Sequence, residues 1–509
     1  MLNFRDSSLK KLTLVSRWDF YSICFFAVIL LMQGRMWQRL PLSLDSYYHL
    51  SVARGFYDAG GWVGRAFWEY APVGRPHLYP PLLHILELTV LKLGVAPIAT
   101  ARLFEFLIYP ALLYVVWWFL RNLFSASLAC LSLFLILSSR ELYLAVLNNI
   151  PFSLAFIFCL ASFYFYEKSK VITSILFLTL AFYSHSLMPW LTVLAFIFYS
   201  IWTRKKVLLL ICLGGILSAL PLLMHQLRYI HYLRFSRVFE FYYWQFNPAL
   251  YILAFFGILV SLRKKGLYLF FLCLLIGMAP LFITNRDRFI CGHGLIPVSF
   301  LAALFLQDAW LCLTHLTKAQ WPRIIFSILF ITLFYISMPL VLLSPLKKGP
   351  VFLRSSWLNN LSGEGTEFSA LKGRTFYHPR LIGEIVDMVK ENSAPDDIIF
   401  SNFSYAGGMI SSLSHRATSN AMLAEVMPFE VFDEIGAARL MIWFKEPSGG
   451  PLSGLDDAIQ KYGLKKAGET EVAYLYINEQ TRFKKEVTHA SVPYWVCLAL
   501  VLCGFCIRK

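Results

Sequence analysis

Apolar runs long enough to be helices alternate along this chain with short polar connections. The first occupies residues 20–37, and a mixed polar and aromatic stretch then runs to residue 97. Further apolar runs follow at 98–120, 123–139, 151–167, 171–185, 187–203, 207–224, 248–262, 266–284, 290–308 and 323–344, and a last one lies within 490–509. A helix rises about 1.5 Å per residue, so about 20 apolar residues cross a hydrocarbon layer roughly 30 Å thick. The pattern predicts a mainly α, polytopic transmembrane bundle of about 12 spans. Residues 20–37 lack a small-residue cleavage site and open a series of similar runs, so they read as a retained helix, not a signal peptide. Residues 79–95 are also apolar but carry Pro80, Pro81, His84, Glu87 and Lys92. Counting them as a span would break the alternation of sides, so a helix lying along the interface is expected there.

From about residue 346 the pattern shortens. "HPRLIGEIVDMVKENSAPDD" reads as an amphipathic helix ended by a proline turn. "DIIFSNF", "ARLMIWF" and "EVAYLYIN" read as strands, and "LDDAIQKYG" as a helix between the last two. The expected organisation is a membrane domain over 1–345, a small α/β domain over 346–489 and a returning helix over 490–509.

Charge orients this scheme. The chain of 509 residues is 58% hydrophobic and only 15% charged, which excludes an ordinary soluble protein. Its net charge of +16 sits in clusters between apolar runs: Lys10 and Lys11, Lys168 and Lys170, Arg204 to Lys206, Arg263 to Lys265, and Arg508 with Lys509. That is the signature of cytoplasmic loops rather than of a nucleic-acid surface. The N-terminus is then inside. Loop 38–97, the short connections 138–150, 225–247 and 285–288, and the α/β domain all fall on the external side, where a single reaction chamber is expected. The localisation implied is a plasma (inner) membrane. Ten cysteines lie in or beside apolar runs, none within 346–489, so no disulfide framework is readable, and Cys503 and Cys506 sit inside the last apolar run.

In "LDSYYHLSVARGFY", Asp45, His49 and Val52 share one helical face by spacing. Asp45 either caps that helix or carries chemistry at the hydrocarbon boundary, where a carboxylate is costly. Downstream, Glu69, Arg75, His77 and Tyr79 stand among prolines and aromatics. An Arg fork suits phosphate oxygens and aromatic faces suit sugar rings, whereas a headgroup contact is the simpler reading of Arg75. His185, near a helix end, reads either as an interfacial histidine or as a phosphate contact, and Asp308 as interfacial and structural.

The order "DSYYHL" followed by "YAPVGRPHLYPPL", with "SSRELYLAVLNNIPFSLAF" further on, resembles the catalytic subunits of oligosaccharyltransferases, which are GT-C membrane glycosyltransferases. The resemblance covers residues 20–310. It implies that Asp45 binds a divalent cation (Mg or Mn) and works beside the acceptor nucleophile, and that Arg288 faces the donor's phosphates. Arg140 stands where that family has a Ser-Arg pair. The family's second acidic motif falls on Leu147 and Asn149, so both carboxylates are missing, with Glu69 and Glu141 as substitutes. The turn at 285–288 is too short for the family's long catalytic loop, and no Trp-Trp-Asp-Tyr-Gly motif is present. The function implied is transfer of a sugar or oligosaccharide from a polyprenyl phosphate or diphosphate to a protein or glycan acceptor. Two alternatives stand beside it. A lipid-linked sugar transporter or flippase would place charge midway through several helices, and a catalytically inactive relative would only bind glycolipid.

Overall fold

The computed structural model describes residues 16–37, 41, 44–137, 139–234, 248–290, 292–316, 321, 324, 379–420, 422, 425–445 and 454–499. Helix α1 (Arg17–Met36) starts with a reciprocal cap: the Ser16 hydroxyl accepts from the Asp19 N–H at 3.1 Å, and the Asp19 carboxylate accepts from the Ser16 N–H at 3.1 Å. The first loop folds into α2 (Leu44–Ala59), strands β1 (Gly61–Trp62), β2 (Arg65–Ala66) and β3 (Arg75–Pro76), and α3 (Leu82–Lys92). The bundle continues as α4 (Pro97–Leu123), α5 (Ala126–Leu137), α6 (Arg140–Asn148), α7 (Ile150–Glu167), α8 (Val171–Ser184) and α9 (Met188–Thr203). It is completed by α10 (Val207–Ser218), α11 (Leu220–Arg228), α12 (Pro248–Lys264), α13 (Leu269–Met278), α14 (Leu281–Thr284), α15 (Arg286–Ile290) and α16 (Leu295–Leu316).

The bundle packs α7 on α4 and α8, α9 on α13, and α12 on α16. Its centre is aromatic, with Phe163 and Phe270 stacked at 3.6 Å between ring centroids. Apolar lipid tails give helices little hydrophobic reason to associate, so close backbone approach carries more of the contact. Gly257 supplies such an approach: a Cβ there would sit 2.0 Å from the Leu301 carbonyl oxygen of α16.

Among the described residues, four helices are long and apolar enough to cross a membrane: Pro97–Leu123, Ile150–Glu167, Gly266–Ile283 and Arg286–Leu313. A fifth is added if α10 and α11, bent by 60°, count as one broken span. Shorter apolar helices cover Ala126–Leu137, Val171–Ser184 and Met188–Thr203. The run 323–344 lies outside the described residues apart from residue 324, and Cys503 and Cys506 lie outside them too.

Four expectations are corrected. The run 207–224 is broken, because Pro221 at the start of α11 has no N–H to carry the ladder across from α10. The connection 138–150 is mostly helix α6, with the Ser139 hydroxyl accepting from the Leu142 N–H at 3.1 Å. Residues 286–290 are helical as well. Helix α3 does not lie free on an interface: Leu82, Leu83, His84, Ile85, Glu87 and Leu88 are buried, and it packs on α2.

Polar contacts sort the helix ends into two faces. On one, Arg121 pairs with Asp19 at 2.7 Å, Lys205 with Glu167 at 3.2 Å, and Arg263 and Lys264 with Asp308 at 2.5 and 3.2 Å. These are the ends that the basic clusters assigned to a common side. The opposite ends of the same helices surround the first loop.

After the bundle come α17 (Pro379–Glu391), β4 (Ile398–Ser401), α18 (Ser404–Ser414), β5 (Ala417–Thr418), α19 (Glu434–Ala437), β6 (Leu440–Phe444), α20 (Leu455–Tyr462), β7 (Lys465–Glu469) and β8 (Ala473–Ile477). The sheet order is β5-β4-β6-β8-β7, parallel across β5, β4 and β6 and antiparallel beyond. All five residues of β6 are buried, as expected of a central strand covered on both faces. Tyr47 of α2 joins the core beneath α17 and α18. The Arg54 guanidinium donates to the Ser412 carbonyl at 2.6 Å, and Asp58 accepts from Lys485 at 2.9 Å and bonds His415 at 3.0 Å. Strand β9 (Val492–Pro493) pairs antiparallel with β1. The α/β unit is therefore seated on the first loop.

Candidate active site

The hairpin β2–β3 pairs Arg65 with Pro76 and Ala66 with Arg75, and Gly74, at a positive φ of 71°, makes its turn. This geometry drives Arg75 inward. Its guanidinium donates to Glu69 Oε1 at 2.5 Å and to the Tyr48 hydroxyl at 3.2 Å, while Glu69 Oε2 accepts from the Met422 N–H at 3.2 Å. Glu69 and Arg75 are both fully enclosed. A buried pair like this is stable only when each charge keeps its partner. Burial works against the Arg75 charge, and Glu69 beside it outweighs that, so its pKa is held above the ordinary value.

Below this pair lies a knot of imidazoles. His49 Nδ1 and His84 Nε2 are 2.9 Å apart, and His77 stacks edge-on against Phe56, Trp68 and His84. Burial lowers the pKa of His49 to about 3 and holds His77 and His84 well below the usual histidine value. All three are neutral rings, and they fix α2 against α3.

Above it opens a cavity of about 780 Å³ whose polar lining includes Asp45, Tyr48, Arg75, Tyr79, Asn149, His185, Gln226, Arg288 and Glu425. Its apolar lining includes Trp190, Ile216, Leu220, Leu223, Leu227 and Ile230, contributed by α9, the broken α10–α11 pair and the turn after it. Asp45 lies in the first turn of α2, where the helix dipole favours a negative charge. Burial raises its pKa to about 7; Arg288 partly offsets this and Glu425 adds to it. Arg288 is held by its backbone: its N–H donates to Asn285 Oδ1 at 3.1 Å and its carbonyl accepts from Gly294 at 2.9 Å.

The structure brings Asp45, Arg75, Tyr79, Asn149 and Arg288 to one cavity. His77 does not line it; its carbonyl accepts from His225 at 2.9 Å. Leu147 is buried in the bundle core, and Asn149 caps α7, its Oδ1 accepting from the Phe152 N–H at 3.2 Å. Arg140 and Glu141 open α6, and their side chains lie outside the described residues. Among the described residues, no three His, Cys, Asp or Glu side chains gather to hold a metal ion. With Glu69 committed to Arg75 and Met422, the described side chains do not fit a cation held by the first-loop acids.

Sequence reasoning missed Glu425 and the cap that His185 gives α9, where its Nδ1 accepts from the Leu187 and Met188 N–H groups. Glu425 comes from the α/β unit, carried in by a strap: Val426 bridges Leu233, the Arg234 N–H donates to the Glu425 carbonyl at 2.8 Å, and the Phe429 N–H donates to the Gly74 carbonyl at 3.1 Å. No local signal marks it, because the strap's place is set by tertiary docking. For His185 the signal was present: "HSLMP" sets a side-chain acceptor just ahead of a proline-led helix start.

No protein-family model matches the sequence, and no curated protein is similar to it by sequence. Solved structures are similar. ArnT from Cupriavidus metallidurans in the apo state matches with a TM-score of 0.57 at 13% identity, over 91% of this chain and 98% of that one. The same protein bound to undecaprenyl phosphate matches at 0.54 and 13%, with the same coverage. The archaeal oligosaccharyltransferase AglB from Archaeoglobus fulgidus, in complex with an inhibitory peptide and a dolichol-phosphate, matches at 0.53 and 12%, over 91% of this chain and 74% of that one. Both are GT-C glycosyltransferases, and at these identities the likeness is one of fold. The chain has the GT-C fold.

Proposed function

We propose that the protein is an integral-membrane glycosyltransferase that transfers a sugar or oligosaccharide from a polyprenyl phosphate or diphosphate to a protein or glycan acceptor. The observation that carries this reading is a single cavity whose lining combines a carboxylate and an arginine, Asp45 and Arg288, with apolar side chains along a broken helix. A phosphate on a long isoprenoid combines the same polar and apolar chemistry. In this reading residues 1–345 form the membrane domain, residues 346–489 the α/β domain on the external face of an inner membrane, and residues 490–509 the returning helix.

Asp45, with its pKa near neutrality, accepts the proton of the acceptor's nucleophile as that atom attacks the anomeric carbon. The bond from that carbon to the phosphate oxygen breaks, and Arg288 stabilises the negative charge developing on the departing phosphate. Arg75 is charge-balanced by Glu69, so its part is to hold Tyr48 and the loop in place rather than to grip phosphate. Leu147 and Asn149 offer no carboxylate, and this favours a second reading, a glycolipid-binding relative without turnover. Glycan and lipid analysis of cells with wild type or Asp45→Asn at matched membrane levels separates the two. Loss of a glycoconjugate with build-up of its polyprenyl-linked donor is expected. Unchanged products in the presence of donor would sink the mechanism.

A further inference from the structure

His185 sits between α8 and α9 and is more than nine-tenths buried, yet its ring lines the cavity. Its Nδ1 accepts two backbone hydrogen bonds, from Leu187 at 3.0 Å and Met188 at 3.2 Å, which are among the otherwise unpaired donors at the start of α9. An imidazole nitrogen that accepts carries no hydrogen, so the proton of the neutral ring is on Nε2. The ring cannot turn over without leaving those donors unpaired. Phe152 and Tyr79 pack edge-on to it, at 4.9 and 6.4 Å between centroids. Nε2 therefore belongs to a rigid N–H donor on the side of the ring away from α9. Arg288 is near enough to bear electrostatically on the ring and lines the same cavity. The start of α7, capped by Asn149, reaches the same cavity. A cation, a fixed N–H and the positive ends of two helices converge there, a field suited to an anion with several oxygens.

We infer that His185 is a donor-binding residue: its Nε2–H donates to an oxygen of the polyprenyl phosphate while its Nδ1 caps α9. The inference rests on the function proposed above and adds a second phosphate contact beside Arg288.

Two substitutions pull the roles apart. His185→Asn keeps a short side-chain oxygen able to cap α9 but has nothing where Nε2 was. His185→Gln places an amide N–H near the Nε2 position and gives up the short cap. The full-length protein in detergent is titrated with undecaprenyl phosphate, and thermal unfolding of each variant is recorded. His185→Asn is expected to unfold near the wild-type temperature and to bind about tenfold more weakly or worse, the loss of one hydrogen bond to a charged group. His185→Gln is expected to unfold at lower temperature and to bind near wild type. Wild-type affinity in His185→Asn overturns the inference and leaves His185 as a cap. If His185→Asn does not fold, weakened binding by a folded His185→Gln overturns it, and retained binding supports it. A wild-type protein that fails to bind the lipid at all removes the functional reading beneath it, a result distinct from either variant's.

Discussion

In the proposed mechanism Asp45 couples the chemistry to pH, and its raised pKa sets the sign. Its pKa in the fold is about 7, against an ordinary 3.8, because burial penalises the carboxylate more than Arg288 rewards it. The fold thus binds this proton more tightly than the unfolded chain does. The stability tied to the group is complete below pH 3.8, declines as pH rises to about 7, and is level above that. Under the proposed mechanism turnover runs the opposite way, since only the ionised form accepts a proton. Transfer is therefore expected to rise with pH through about 7, and Asp45→Asn should be inactive yet more heat-stable than wild type at pH 8, with the stability gap closing at low pH. A transfer rate independent of pH between 5.5 and 8 would exclude Asp45 as the base. Asp45 drew attention as a charge at the edge of an apolar run and Arg288 through the family resemblance; the structure places both on one cavity, and their roles remain those proposed. Asn149 and His185 were less legible, because a side chain's service as a cap depends on the residue at which its helix begins. The Glu69–Arg75 pair was seen as two separate candidates, since only the folded hairpin shows that each satisfies the other.

Among the elements, α12 and α16 form the tightest pair that a single residue decides. Gly257 is buried between them, and any Cβ there would press within 2.0 Å of a backbone oxygen that cannot swing aside. Gly257→Ala must push the helices apart, a strain of about 1–3 kcal/mol. The expected result is a lower thermal midpoint, whereas Gly383→Ala, in a helix interior with open space around it, should leave the midpoint at or above wild type. Equal effects from the two would show that the close approach does not limit stability. The existence of these helices was readable from apolar run length alone, and most of their ends fall within a few residues of the expected ones. Their breaks were not. Pro221 was inside a run apolar enough to look continuous, and a missing N–H becomes a 60° bend only when the packing leaves room for it. Helix α3 shows the converse, because His84 and Glu87 look amphipathic in sequence but are buried once α2 lies across them.

For the whole molecule, the seating of the α/β unit fixes a relation that no hydropathy count supplies. Asp58 of the first loop holds His415 and Lys485, β1 pairs with β9, and the Glu425 strap closes over the cavity. The first loop and the α/β unit must then share one side of the membrane, whichever side that is. The ion pairs of Asp19, Glu167 and Asp308 gather the basic helix ends on the other. Positive loops stay cytoplasmic, so the chamber is expected outside. Val431 is fully exposed on the α/β unit, and Lys170 is exposed in the turn between α7 and α8. A membrane-impermeant maleimide on intact cells should label Val431→Cys above the background of the unaltered chain, and should label Lys170→Cys only after permeabilisation. The reverse order would invert the molecule, put the chamber in the cytoplasm and require a donor presented on that face. Equal labelling of both in intact cells would break the two-faced arrangement itself, and with it the assignment of Asp45, Arg288 and Glu425 to a chamber on one side of the membrane.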